Sequence, residues 1–281
     1  MTFSPRGTGG VRGARKSLGQ HFLADIRTVG RILDAADLSP DDLVVEIGPG
    51  RGVLTRRLVD RVKRVVAIEL DGELAAALPP RLGFPANLTC VAADARDVDL
   101  AGLIAPETSY KVVANLPYYA ANPIVRRLLE SQPKPDVLVV MVQQEVAKNM
   151  VAQPGAMGLL SVATQFYAKA KMVCSVPPRS FRPPPKVTSA VVRLEVLPEP
   201  AAEVESEEAF FRVVRAGFAA PRKQLRNSLS QGLGIEPTAG GRILELAGID
   251  ATRRPQTLEI PEWAAIYRAW ETVSPAREGE S

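Results

Sequence analysis

Cysteine, histidine and long apolar runs are what this sequence is short of. Its 281 residues hold two cysteines, Cys90 and Cys174, far apart and in no CxxC arrangement, and a single histidine, His21. That scarcity excludes a Cys/His metal centre and a disulfide framework, and it fits a reducing, cytosolic compartment. No Ser or Cys nucleophile constellation accompanies the lone histidine. No apolar run approaches the ~20 residues of a membrane span; the longest, at 137–142, is strand-length. A secretory h-region is absent, and Gly9, Gly10 and Gly13 spoil any amphipathic presequence helix. Acids are scarce in two stretches. Residues 1–30 carry Arg6, Arg12, Arg15, Lys16 and Arg27 against Asp25 alone, and 212–226 holds five basic residues and no acid. On a pI near 9.2 these two stretches point to a polyanionic partner.

What is present is a core-forming chain, 46% apolar, long enough for one large domain or a large and a small one. Residues 1–16, rich in Gly, Arg, Ser and Thr, read as a disordered basic arm. A helix is expected at 26–36. Apolar strands follow at 44–48, 65–70, 88–94, 111–116 and 137–142, separated by amphipathic helices such as the one carrying Leu54, Leu58 and Val62 on one face. That alternation means a parallel α/β sheet covered on both faces. Segments 169–176 and 190–196 read as a hairpin across a proline-rich loop. Residues 197–206 read as a linker, and only helical patterns lie beyond, with Pro221 expected in the first turn of one helix. The tail from 274 to 281 is expected to be disordered. There are no internal repeats.

In such sheets ligands bind beyond the carboxyl ends of the strands, and the unusual residues gather there. The first strand ends Glu46-Ile47-Gly48-Pro49-Gly50-Arg51-Gly52, where glycines let backbone and ligand approach. A dinucleotide site is the competitor, but the spacing is G-x-G-x-G, and Pro49 removes a donor a pyrophosphate would use. Glu69, closing the second strand, can take both hydroxyls of a ribose. Asp94, closing the third, can accept from an adenine amine. The fourth ends Asn115-Leu116-Pro117-Tyr118: an amide oxygen for an exocyclic amine, a proline without N–H, and a ring on which a base can stack. Together these describe a nucleoside cofactor facing an amine substrate.

The blocks Gly19-Gln20-His21-Phe22-Leu23, Glu46-Ile47-Gly48-Pro49-Gly50, Ile68-Glu69-Leu70-Asp71, Asn115-Leu116-Pro117-Tyr118, Phe181-Arg182-Pro183-Pro184-Pro185-Lys186-Val187 with Ser189-Ala190-Val191-Val192, and Arg222-Lys223-Gln224-Leu225-Arg226-Asn227-Ser228-Leu229 run in order along most of the chain. They resemble the ribosomal RNA adenine dimethyltransferase family. The resemblance implies an α/β, Rossmann-like class I methyltransferase fold with a mostly parallel seven-stranded sheet over 17–200, and a small all-α, RNA-binding domain over 201–273. It implies S-adenosylmethionine as cofactor, held by His21, Leu23, Gly48, Gly50, Glu69, Asp94 and Asn115, and no metal. His21 stands where many relatives have Asn, which moves its expected contact toward the backbone.

Dimethylation of two adjacent adenosine N6 amines near the 3′ end of small-subunit ribosomal RNA is the implied reaction, carried out by a cytoplasmic monomer on an assembling 30S particle. Asn115, Leu116, Pro117, Tyr118 and Phe181 would form the catalytic set. In it the Asn115 oxygen and Leu116 carbonyl accept from the amine, while the rings of Tyr118 and Phe181 clamp the base and the Tyr118 hydroxyl has no part. Arg222, Lys223 and Arg226, expected on one helical stretch, would meet RNA phosphates; Pro221 stands where relatives often have a basic residue. The alternatives are an Erm-type methyltransferase of large-subunit RNA, which usually has Ile in place of Leu116, and a non-enzymatic nucleic-acid factor on the same fold.

Overall fold

The computed structural model describes residues 21–273. The arm expected at 1–16 and the tail expected at 274–281 lie outside the described residues, as does the start of the first motif at 19–20. A short strand, Phe22–Leu23 (β1), leads into helix Ile26–Ala36 (α1). Asp25 caps α1 by accepting from the Arg27 N–H at 3.2 Å and the Thr28 hydroxyl at 2.7 Å. Strands and helices then alternate: Leu43–Ile47 (β2), Thr55–Val59 (α2), Arg64–Glu69 (β3), Gly72–Arg81 (α3), Leu88–Ala92 (β4), Leu100–Ile104 (α4), Lys111–Asn115 (β5), Ala121–Glu130 (α5) and Val137–Gln143 (β6). Two helices follow, Gln144–Met150 (α6) and Leu159–Gln165 (α7), and then strands Ala168–Val176 (β7), Phe181–Arg182 (β8) and Ser189–Val196 (β9). Helices Glu207–Gly217 (α8), Leu225–Leu233 (α9), Pro237–Leu246 (α10) and Ile260–Val273 (α11) complete the described chain.

The seven-stranded sheet has the order β4-β3-β2-β5-β6-β9-β7. Its strands are parallel from β4 to β6, and β9 runs antiparallel to both β6 and β7. The hairpin read from sequence is thus the β7–β9 pair. β8 leaves it to form a separate antiparallel ribbon with β1, Phe22 opposite Arg182 and Leu23 opposite Phe181. Chain order reverses between β2 and β5, so a crevice opens beyond their carboxyl ends.

Side chains alternate across the central strands. Val112 and Ala114 of β5 enter one core with Val45, Val66 and Val140; Val113 enters the other with Val44, Val65, Val139 and the α1 residues Val29, Ile32 and Leu33. Burying each such side chain contributes about 1.5–3 kcal/mol. A one-residue slip would exchange the two sets, so the register that carries Asn115 to the crevice is strongly specified.

The carboxyl-terminal helices pack against the α7 region and share its core rather than standing apart. Phe166, just past α7, stacks on Phe210 of α8 at 4.7 Å between centroids, and both share one core with Trp263 and Tyr267 of α11. One local expectation fails. Pro221, Arg222 and Lys223 precede α9 in a turn, and only Arg226 lies on the helix. The reason is the cap region: Gln224 takes an extended backbone, and the Lys223 N–H closes a turn on the Ala220 carbonyl at 2.9 Å.

Candidate active site

β2 ends at Ile47, and the chain turns through Gly48 and Gly50 with φ of +71° and +55°. A β-carbon at Gly48 would stand 3.2 Å from the Asn115 carbonyl oxygen, and one at Gly50 would stand 3.0 Å from the Phe22 ring. Both positions need glycine twice over, for backbone conformation and for closeness. The turn is fastened to the next strand by Glu69. Its Oε2 accepts from the Gly50 N–H at 3.0 Å, and its Oε1 from the Asp71 N–H at 3.0 Å. Burial outweighs those two bonds and raises the Glu69 pKa above the ordinary carboxylate value.

Asn115 is the last residue of β5. Its amide nitrogen donates to the His21 carbonyl at 3.5 Å, which uses the donor end on the approach to β1 and leaves Oδ1 as an acceptor. Leu116 is held to β6 by its N–H on the Met141 carbonyl at 3.2 Å, and the Pro117 carbonyl starts the next turn by accepting from Ala120 at 2.9 Å. The Tyr118 ring lies 6.2 Å from that of His21, inclined by 28°. Its hydroxyl shares a hydrogen bond of 2.9 Å with Ser189. The His21 Nδ1–H in turn donates to the Pro183 carbonyl at 2.9 Å.

Nine of the residues singled out from sequence therefore line one cleft: His21, Gly48, Gly50, Glu69, Asn115, Leu116, Pro117, Tyr118 and Phe181. Its enclosed part measures about 100 Å³, and its mouth is open to solvent. Phe181 contributes a wall more than an open platform, being 2% exposed and packed into the core beside Val29 and Leu23. Two expected residues are not among those lining it. Leu23 is a core residue of β1. Asp94 is gripped by Arg96, whose Nε and Nη2 reach its two oxygens at 3.0 and 2.6 Å; that pairing also holds its pKa below the usual range. Arg222, Lys223 and Arg226 are exposed in the helical region and take no part in the cleft.

The motifs include Phe22, Leu70 and Ser189 but assign them no part in the site, and Leu74 and the exposed ring of Tyr119 likewise have none. Glu46, quoted in the glycine motif, is given no role either. This acid sits inside a strand buried at every position, and that interruption was its signal. Thr55 lies close enough to favour its charged form, but neither carboxyl oxygen makes a well-formed hydrogen bond. Burial pushes its pKa up to about 8.

S-adenosylmethionine fits these residues: a cradle that any β-carbon would narrow, a carboxylate at the end of the second strand, apolar walls, and buried acids near a cationic ligand. Among the described residues no group of His, Cys, Asp or Glu is arranged to hold a metal ion.

Comparison with known proteins agrees with the geometry. The model of a family described as ribosomal RNA adenine dimethylase matches residues 11–265. A protein of Dehalococcoides mccartyi named ribosomal RNA small subunit methyltransferase A is 45% identical over 253 residues, covering 90% of this chain and 87% of that one. Its namesake in Pelotomaculum thermopropionicum is 46% identical over 264 residues, covering 90% of each. Among solved structures, the 23S rRNA methyltransferase ErmE superposes with a TM-score of 0.70 at 29% identity, over 88% of this chain and 98% of that one. A dimethyladenosine transferase from Plasmodium falciparum superposes with a TM-score of 0.78 at 23% identity, over 90% and 98%, and speaks for the fold alone.

Proposed function

Since this chain belongs to the ribosomal RNA adenine dimethylase family, we propose that it transfers methyl groups to the N6 amines of two adjacent adenosines near the 3′ end of small-subunit ribosomal RNA. It is an S-adenosylmethionine-dependent methyltransferase. The observation that carries the substrate reading is the pairing, in one cleft, of an amide oxygen free to accept from an amine with a glycine turn and acid suited to a nucleoside cofactor.

When bound, S-adenosylmethionine supplies an electrophilic methyl group on a sulfonium, so no metal and no strong base are called for. The chain's own work is positioning and electrostatics. Glu69 would hold the ribose hydroxyls with lone pairs not used by Gly50 and Asp71, and Gly48 and Gly50 would give the ligand room. Asp94 would accept from the adenine amine with a lone pair not used by Arg96. His21 and Leu23 contribute their backbone and the wall behind it.

The adenosine amine is a poor nucleophile because its lone pair is delocalised into the ring. Asn115 Oδ1 and the Leu116 carbonyl accept its two N–H bonds and draw the nitrogen out of conjugation, toward tetrahedral geometry. Pro117 fixes the backbone that presents the Leu116 carbonyl. Tyr118 offers the stacking face, worth about 1–3 kcal/mol, and Phe181 closes the opposite side.

We assign cofactor and base to 17–200 and most phosphate contacts to 201–273, where Arg222, Lys223 and Arg226 stand exposed. The enzyme acts as a cytoplasmic monomer on an assembling small subunit. No helix among the described residues is long and apolar enough to cross a membrane. The test is primer extension on small-subunit RNA from a strain lacking the gene, before and after incubation with the purified protein and cofactor. Two adjacent new stops near the 3′ end are expected. Modification of large-subunit RNA instead would overturn the assignment.

A further inference from the structure

A second groove shares the β1–β8 ribbon with the cleft. His21, Phe22 and Phe181 line the cleft, while their chain neighbours Ala24, Ser180 and Arg182 line the groove. Its two sides are joined at the base, where the Ala24 and Asp25 N–H groups donate to the Ser180 carbonyl at 2.8 and 3.3 Å. One side is the start of α1, carrying Arg27 and Arg31. The other is the segment before and within β8, carrying Arg179 and Arg182. All four arginines are exposed.

The charge balance of this groove is one-sided. Its only acid is Asp25, whose oxygens already accept from the Arg27 N–H and from the hydroxyls of Thr28 and Ser180, the last at 3.2 Å. Arg182 donates to the carbonyls of Arg179 and Phe181. Among the described residues Arg27, Arg31 and Arg179 enter no ion pair, although the chain forms such pairs elsewhere, for example Arg253 with Glu262. Four guanidinium groups set around one channel with their charges unanswered repel one another and attract an anion. Their planar forks suit phosphate oxygens. They stand on two elements, α1 and the 179–182 segment, one on each side of the groove, a placement suited to a strand that carries several phosphates.

We propose that this groove carries the phosphodiester backbone of the single-stranded RNA next to the target adenosine. The strand leaves the cleft across the β1–β8 ribbon and lies between α1 and the 179–182 segment. The inference rests on the reading of the cleft as a site for RNA adenine, and it adds a phosphate track on the sheet-bearing part of the chain, apart from Arg222, Lys223 and Arg226. A base can enter the cleft only if it is unstacked, and fixing the adjoining backbone is a direct way to hold it so.

The test uses the full chain with Arg27→Gln, Arg31→Gln and Arg179→Gln combined, none of which supports another side chain, and a second variant with lysine at the same three positions. The probe is small ribosomal subunits from a strain lacking the gene. Equilibrium binding is measured against salt, with methyl transfer alongside. Removing three phosphate-binding charges from a single-strand track should flatten the slope of log K on log salt by about 2 and raise KM about tenfold or more. The effect on kcat should stay under about twofold, because these residues do not touch the reacting atoms.

Lysine should restore most of the slope, and cofactor affinity by calorimetry should be that of the wild type in both variants. A glutamine variant with wild-type slope and KM would overturn the phosphate track while leaving the methyltransferase reading intact. Lysine failing to restore the slope would overturn its electrostatic basis. A flattened slope in a protein that transfers no methyl even as wild type would sink the proposed reaction and spare the groove.

Discussion

The hydroxyl of Tyr118 lies 2.9 Å from that of Ser189, so the ring proposed to stack on the base is tied to the first residue of β9. Ser189 is fully buried, and a partner removed from it leaves a desolvated hydroxyl. We propose that the hydroxyl, to which the motif gives no part, helps to place that ring. Tyr118→Phe and Ser189→Ala should each slow methyl transfer about three- to tenfold, the equivalent of one net hydrogen bond. Because both remove the same bond, the double variant should be no worse than the poorer single one. Additive losses in single-turnover rates would show that the bond does not position the ring.

Glu69 fastens the Gly50 turn, and we propose that it holds the cofactor ribose as well. Glu69→Ala should weaken S-adenosylmethionine by at least the ~1.5–3 kcal/mol of hydrogen bonds to a charged group, with part of the loss arising from the loosened Gly50 turn. Glu69→Gln keeps one acceptor for a backbone N–H and should fall between the two. Calorimetry showing unchanged affinity in the alanine variant would remove Glu69 from the ribose role.

Glu46 makes the ligand-free protein pH-sensitive. Its folded pKa stands near 8 against an ordinary 4.5 because of burial. The folded chain thus keeps a proton that the unfolded chain gives up. Stability from this group is complete below about pH 4.5 and is lost progressively as pH rises to about 8. Each unit of displacement is worth about 1.4 kcal/mol, so the loss amounts to a few kcal/mol. Glu46→Gln stays neutral throughout. Its melting temperature relative to wild type should rise between about pH 5 and 8, then level off. A gap constant with pH would mean that Glu46 is already ionised in the fold.

Arg222, Lys223 and Arg226 are exposed, the first two in the turn before α9 and the third on it. Neutralising all three should weaken binding to small-subunit RNA and flatten its salt dependence by roughly one unit of slope for each phosphate they no longer neutralise. An unchanged slope would mark the patch as a solvated face.

Much of this architecture was legible because one physical signal repeats. Near-continuous apolar strands such as Val137–Gln143 can only be buried on both faces, and glycine, acid and amide at successive strand ends then fall on one edge of the sheet. What stayed hidden was contact between distant segments. Nothing near Tyr118 announces Ser189, and nothing near Asp94 announces that Arg96, two residues on, folds back to grip it. The helix expected to start at Pro221 starts instead at Leu225, because propensity fixes that a helix forms more firmly than where it begins. Glu46 could have been found: a charged residue within a strand buried throughout is costly to the fold and asks for another explanation.

The central claim is that Asn115 acts on the amine and not merely on RNA affinity. Its amide nitrogen faces the His21 carbonyl, so what it gives the cleft is an oxygen, and an acceptor bond to the amine strengthens as the nitrogen becomes tetrahedral. The decisive measurement is the single-turnover rate of methyl transfer by Asn115→Ala, at saturating S-adenosylmethionine and saturating small subunits lacking the modification. The rate should fall by two orders of magnitude or so, about 3 kcal/mol of lost transition-state stabilisation, with the affinity for the subunit within a few-fold of wild type. A variant that transfers methyl at the wild-type rate once bound, and is deficient only in binding RNA, would contradict the account.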